Sequence, residues 1–288
     1  MTTPNAAYEQ EQRGNPVPDN PPSAGQERPK LDSTVPQSAR VWNYWLGGKD
    51  NFAIDREIGN QIREMNPHIA EIAVAQRAFL VRTVTYLTRE VGIRQFLDVG
   101  TGLPTANNTH EVAQSVAPES RIVYVDHDPM VLAHARALLV GTPQGATDYI
   151  DADLREPDTV LPKAAETLDF TQPVALVLLG ITGHLTADDE AYAIVRRLLA
   201  ALPSGSYLVL CDDTNVIHPE AMDEMVRQWN DSGENPRVNR TPGGLEHFFD
   251  GLELLEPGVV SVTRWRPDPA ETGEIPEVDD FGGVGRKP

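Results

Sequence analysis

Five short apolar runs alternate with longer segments of helical periodicity through the middle of this chain. Residues 95–99, 121–125, 148–150, 174–179 and 207–211 read as strands. The run VALVLL at 174–179 has no polar alternation, as expected of a central strand covered on both faces. Between the strands, 107–116, 129–140, 159–168 and 188–202 carry helical patterns. Pro129 after Asp128, and the acids Asp188 and Asp189, suit the first turns of two of them. Such alternation implies a parallel sheet with right-handed crossovers. Upstream, helices are expected at 55–65 and from 67 to 91, the second opening on Pro67. Downstream come a helix over 219–229, the polar loop DSGENPRVNRTPGG, and the segment LELLEPGVVSVTRW. Its two strand-like runs around Pro257-Gly258 predict an antiparallel hairpin at the sheet edge.

Composition sets the limits of this unit. Residues 1–33 and 268–288 are rich in polar residues, Pro and Gly and poor in aliphatics, so two disordered tails are expected, the second acidic. Between them, 34–92 form a helical cap or lid and 93–267 the α/β core. No run of about 18 apolar residues marks a membrane span, and the opening MTTPNAAYEQEQ lacks a secretory pattern. The single cysteine, Cys211 in YLVLCDD, leaves no internal disulfide and no cysteine zinc site, and reads as a buried thiol. A cytoplasmic protein is expected. The formal net charge of -19 stays largely on the body after the tails are set aside. The longest basic clustering is Arg264 and Arg266 around Trp265, so a nucleic-acid partner is not expected.

The chemistry concentrates where the first strand ends. FLDVGTGLPT closes a strand on Asp98 and enters a loop with Gly100 and Gly102; RIVYVD closes the next strand on Asp126. Two strands ending in acids, with a helix between them, describe a nucleotide-type pocket. A dinucleotide site wants a third glycine, where this chain has Thr105. Asp98 would repel a pyrophosphate but would suit a ligand carrying a cation. S-adenosylmethionine is a nucleoside with an ammonium and no phosphate, and Asp126 would take its ribose hydroxyls. Capping of loops or helices is the plainer role for both acids.

Four further segments sharpen the picture: NTHEVAQ (108–114), VDHDPMVLAHARALL (125–139), DADLREP (151–157) and the opening RVWNYWLGGKDNFAIDREIG. With DVGTGLPT, GLELLEPGVV and WRP, they resemble the class I S-adenosylmethionine-dependent methyltransferases. More narrowly, the chain is similar to the "S-adenosyl methyltransferase" family formerly filed as a domain of unknown function, over roughly 38–267. The resemblance implies a Rossmann-like, seven-stranded, mostly parallel sheet with its last strand antiparallel. It implies that Asp98, Gly100, Thr101 and Gly102 underlie the methionine part of the cofactor and that Asp126 holds the ribose. His127 would lie beside the adenine, Asp153 and Leu154 would meet its amine and ring, and Gly180 onward would face the sulfonium and acceptor. Pro104 stands where many class I enzymes have glycine, a departure that matches the narrower family.

Methyl transfer is an in-line displacement that needs a base only if the acceptor must lose a proton. His184, just past the apolar 174–179 strand, is the candidate base, with helix capping or a surface position as the plainer alternative. His110 reads as a first-turn residue. Trp42, Tyr44 and Trp45, followed by Gly47 and Gly48, either pack the cap on the sheet or form a lid. In the lid, Tyr44, Gly48, Lys49, Asp50 and Asn51 would offer contacts to the cofactor carboxylate or substrate. No histidines are spaced with acids as a metal site requires, so no metal is expected, although Asp212-Asp213 and Asp126-Asp128 are acidic pairs. The leading expectation is therefore an S-adenosylmethionine-dependent methyltransferase with a small-molecule acceptor. The alternatives are a protein that binds the cofactor without transfer and, against Asp98 and Thr105, a nicotinamide oxidoreductase. Oligomeric state and acceptor identity are not encoded in these patterns.

Overall fold

The computed structural model describes residues 32–138, 141–232, 235–267 and 276–288. Most of the tail expected over 1–33, and 268–275 of the second tail, lie outside the described residues. Three helices come first: α1 (Ser38–Trp45), α2 (Ala53–Met65) and α3 (Ile69–Tyr86), the last continued by a π turn to Val91. Then β1 (Gln95–Val99), α4 (Thr109–Val116), β2 (Arg121–Asp126), α5 (Pro129–Leu138), β3 (Ala146–Asp151), α6 (Pro157–Ala164) and β4 (Ala175–Leu179) alternate as the periodicity predicts. A short 3-10 turn (Thr182–His184), α7 (Asp188–Ala200), β5 (Tyr207–Asp213), α8 (Pro219–Ser232) and α9 (Pro242–Glu246) follow. The chain ends in β6 (Glu253–Leu254), β7 (Val260–Ser261) and β8 (Asp280–Arg286).

The eight strands form one sheet in the order β3-β2-β1-β4-β5-β8-β6, with β7 also paired to β8. Strands β1 to β5 are parallel, and β8 runs antiparallel to β5, β6 and β7. Two expectations are corrected here. The runs flanking Pro257-Gly258 do not pair with each other. Leu254 faces Gly285 and Val260 faces Gly282, so they form two pieces of one interrupted edge strand along β8. The second correction is that 280–286, expected to be disordered, is an interior strand of the sheet. Its glycines obscured it, yet they are what lets it fit. A Cβ on Gly282 would stand 2.4 Å from the Cβ of Cys211 on β5, and one on Gly285 would stand 2.7 Å from Phe249.

Both faces of the sheet are covered. Leu97, Val99, Val123, Val125, Leu176 and Leu178 pack with α6 and α7 on one side. Phe96, Tyr124, Val177 and Val209 pack with α1 to α4 and α8 on the other. This explains why the central strands read as continuous apolar runs. Asp98 interrupts the second face: its register partners are Tyr124 on β2 and Val177 on β4. The strand order reverses between β1 and β4, and the crevice beyond the carboxyl ends of strands at such a switch point is where open α/β sheets bind ligands.

Candidate functional site

A cleft opens at that switch point. Its floor is the loop from Asp98 to Thr105, its near wall Val125 to Asp128 and Ala152 to Arg155, and its far wall Leu179 to Ile181 with His184 and Leu185. Gly100 and Gly102 hold φ of +76° and +63°, a left-handed backbone that favours glycine. A Cβ on Gly100 would also stand 2.5 Å from Ile181 Cγ1. The loop is pinned to β2: the Gly100 amide donates to the Val125 carbonyl at 2.8 Å, and the Gly102 amide to Asp126 Oδ2 at 2.9 Å. Asp126 Oδ1 also accepts from the amides of His127 and Asp128. Burial nevertheless pushes its carboxyl above the usual range. Asp128 accepts from Met130 N through Oδ1, while its buried Oδ2 has no partner among the described residues.

Asp98 is buried beneath the loop. Thr109 Oγ1 donates to its Oδ2 at 2.6 Å. Burial pushes the carboxyl up to about 6, against the pull of the Thr109 hydroxyl and the Arg77 guanidinium. The same burial depresses Arg77, which lines the cleft from α3. His110 turns away from the cleft onto Tyr124, whose hydroxyl accepts from the His110 amide at 2.8 Å. The start of α4 is closed by its own residues, with Glu111 Oε2 accepting from the Asn108 amide at 2.7 Å.

The far wall is built on a buried ion pair. Arg237 Nη2 lies 2.6 Å from Asp213 Oδ2 and 3.4 Å from Asp212 Oδ1 at the end of β5. Asp212 Oδ2 accepts from Thr182 Oγ1 and the Gly183 amide, fixing the turn that carries His184. His184 Nδ1 faces the Pro236 carbonyl at 3.3 Å. Burial first, and then the Arg237 guanidinium, push the imidazole down to about 4. Arg155 joins the two walls, pairing with Asp153 at 3.1 Å and donating to the His184 carbonyl at 2.8 Å. Among the described residues no three His, Cys, Asp or Glu side chains are placed to hold a metal.

Helix α1 roofs the cleft through Ala39, Trp42, Asn43 and Leu46. It is held there by the buried pair of Arg40 and Asp55, 3.1 Å apart, and Asp55 Oδ1 accepts from the Gln37 amide ahead of the helix.

Asp98, Gly100, Thr101, Gly102, Asp126, His127, Asp153, Leu154, Gly180 and His184 thus all line one cleft. Tyr44, Gly48, Lys49 and Asn51 do not, and the contacts expected of them are corrected. The Tyr44 hydroxyl donates to Asn60, Asn51 donates to Asn43 Oδ1 and the Gly48 carbonyl, and Lys49 is exposed. Helical geometry puts Trp42, Asn43 and Leu46 on the inner face instead. Gln76, Arg77, Tyr149, Asn235 and Arg237 also line the cleft and were not foreseen. Gln76-Arg77 interrupts the otherwise apolar run IAVAQRAFLV, a signal that was legible; Arg237 sits in a polar loop that offers none.

The sequence profile described as S-adenosyl methyltransferase matches residues 24–288. The crystal structure of a DUF574 family protein from Streptomyces avermitilis is 43% identical, covering 90% of this chain and 100% of its own, with a TM-score of 0.86. A candidate methyltransferase from Thermobifida fusca is 41% identical, covering 90% of this chain and 97% of its own, with a TM-score of 0.82. Magnesium protoporphyrin IX methyltransferase from Synechocystis, at 12% identity over 86% of this chain and 93% of its own (TM-score 0.50), shares the fold alone. No functionally curated protein matches the chain. The chain belongs to the S-adenosyl methyltransferase family, a family of enzymes whose methyl donor is S-adenosylmethionine.

Proposed function

We propose that this chain transfers a methyl group from S-adenosylmethionine to a nucleophilic atom of a small-molecule acceptor. One observation carries the reading: the buried carboxylates of Asp98 and Asp126 flank a loop whose glycines hold positive φ. Oδ1 of Asp98 makes no hydrogen bond among the described residues, so the carboxylate can accept from an ammonium. Asp126 and Asp128 offer oxygens to ribose hydroxyls, and His127, Asp153 and Leu154 border the space for the adenine. A pyrophosphate would meet Asp98, Asp126 and the Glu111 carboxylate that closes α4, which argues against a dinucleotide.

Bound there, the cofactor supplies a methyl group on a positively charged sulfur. The chain's own part is to position it and keep water out. Gly100 and Gly180 bring backbone close to the reaction zone, while Trp42, Leu46, Ile181 and Leu185 close it with apolar surface. His184, held neutral against the Pro236 carbonyl, is the proposed proton acceptor where the acceptor substrate must lose a proton. The acidic body, and a sequence whose longest basic clustering is Arg264 and Arg266 around Trp265, favour a small acceptor over a nucleic acid. The test is calorimetric titration with S-adenosylmethionine, with NAD as control. Micromolar binding of the former alone, lost in Asp98→Ala, supports the reading; binding of NAD alone, or of neither, sinks it.

A further inference from the structure

Among the described residues, nothing neutralises the charge of Arg77 by contact. The other described arginines with buried or half-buried side chains are all engaged. Arg40 pairs with Asp55, Arg82 donates to the carbonyls of Trp265 and Val262, Arg237 pairs with Asp213, and Arg240 pairs with Asp188. Arg94 and Arg286 likewise have carboxylate partners, Glu119 and Glu253. Arg77 makes no hydrogen bond or ion pair among the described residues, although it lines the cleft and feels the charge of Asp98. A desolvated guanidinium without a partner is costly, and the cost is relieved by an anion that can accept from its fork of N–H donors. The helix that bears it is fixed: its neighbour Gln76 donates to Asp280 at 3.0 Å and lies under Gly180.

We propose that Arg77 receives the α-carboxylate of the cofactor, so that Asp98 and Arg77 together read an ammonium and a carboxylate as one amino-acid zwitterion. This rests on the cofactor reading above. A zwitterion satisfies both side chains at once. A phosphate dianion would pair with Arg77 but be repelled by Asp98 and Asp126. Arg77 is then a specificity residue: the site selects nucleosides that carry a complete amino-acid end. It replaces Lys49 and Asn51, which lie outside the cleft.

The test uses the full chain and two ligands that share the nucleoside and thioether, S-adenosylhomocysteine and 5′-methylthioadenosine, the second lacking the amino-acid end. Calorimetry on Arg77→Gln should show S-adenosylhomocysteine binding weakened about 30-fold, with methylthioadenosine binding unchanged within about threefold. Arg77→Lys, which keeps the charge but not the fork, should fall between. Equal losses for both ligands, or no loss for either, overturn the proposal. Wild-type protein that binds both equally overturns it alone; wild-type protein that binds neither removes the cofactor reading and this inference with it. Ligand-free Arg77→Met supplies a readout that needs no ligand. Removing an uncompensated charge should raise its melting temperature, and a fall would mark Arg77 as a structural residue and overturn the assignment.

Discussion

The Thr109 hydroxyl donates to Asp98 Oδ2 at 2.6 Å, tying the first residue of α4 to the last acid of β1. That bond orients a carboxylate in a sheet row that is otherwise aromatic and aliphatic. Burial holds it near a pKa of about 6, above its ordinary 3.8. Cofactor affinity should therefore weaken as pH falls through about 6, because the protonated acid no longer pairs with an ammonium. Asp98→Asn should cost about 10- to 100-fold in affinity, the size of a charge-assisted hydrogen bond. Titrations at pH 5 and 8 check this. Equal affinities at the two pH values would remove Asp98 from cofactor recognition.

The same substitution should stabilise the ligand-free protein. The folded pKa of Asp98 is raised above the unfolded one, so its contribution to stability is fully present below about 3.8 and is lost as pH rises through about 6. A rise from 3.8 to about 6 corresponds to at most ~3 kcal/mol. Asp98→Asn should thus unfold later than wild type at pH 8 and together with it near pH 4. Denaturant melts at both pH values measure the difference, and a less stable variant at pH 8 would contradict it.

His184 obeys the opposite sign. Its folded pKa of about 4 lies below the ordinary 6.5, so the stability from burying it neutral is present above 6.5 and is lost as pH falls through about 4. As the proton acceptor it should leave turnover at saturating cofactor flat from pH 5 to 8, with an acid limb near 4. His184→Gln should cut turnover at least about 100-fold with cofactor binding nearly unchanged. An acid limb at 6.5, or undiminished turnover, would exclude it.

How much of this was readable depended on whether each residue's role was local. Asp98, Gly100, Gly102 and Asp126 follow directly from strands that end in acids and from a loop needing positive φ, and all are written within a few residues of a strand end. The role of α1 was half legible: its aromatics announced burial, but which side chains face inward depends on helical phase, and the polar residues after Gly47 drew the expectation the wrong way. Arg237 and Asp213 meet across 24 positions of sequence with α8 between them, so only the fold brings them together.

The roof makes a prediction about the amino terminus. Among the described residues, α1 covers the glycine loop through Ala39 and Trp42 and is locked by Arg40 and Asp55. Removing residues 1–31 should leave S-adenosylmethionine affinity within about threefold. Arg40→Met strands the Asp55 carboxylate in the interior and should destabilise the fold by about 3–5 kcal/mol, the usual consequence of breaking a buried pair. Truncation, melting and titration together separate the two segments; a shortened chain that no longer binds would place part of the site upstream of α1.

The carboxyl terminus should behave in the opposite way to a disordered tail. Strand β8 hydrogen-bonds to β5 on one side and to β6 and β7 on the other, so its loss would leave two strand edges open at once. Val278 and Val284 are buried there, and Lys287 Nζ donates to the carbonyls of Leu199 and Leu202 at the end of α7. Ending the chain at 275 should therefore abolish cooperative unfolding or render the protein insoluble. A point change gives a finer test. Gly282→Val would drive side-chain atoms into Cys211 and Leu210, where even a Cβ has only 2.4 Å, and overpacking of this kind costs about 1–3 kcal/mol or more. Gly258→Ala makes the control, since its Cβ would meet nothing closer than Leu254 at 3.8 Å, although its φ of +90° adds a modest penalty of its own. If Gly282→Val melted no lower than Gly258→Ala, the close approach of β8 to β5 would be wrong, and with it the placement of the last strand in the interior of the sheet.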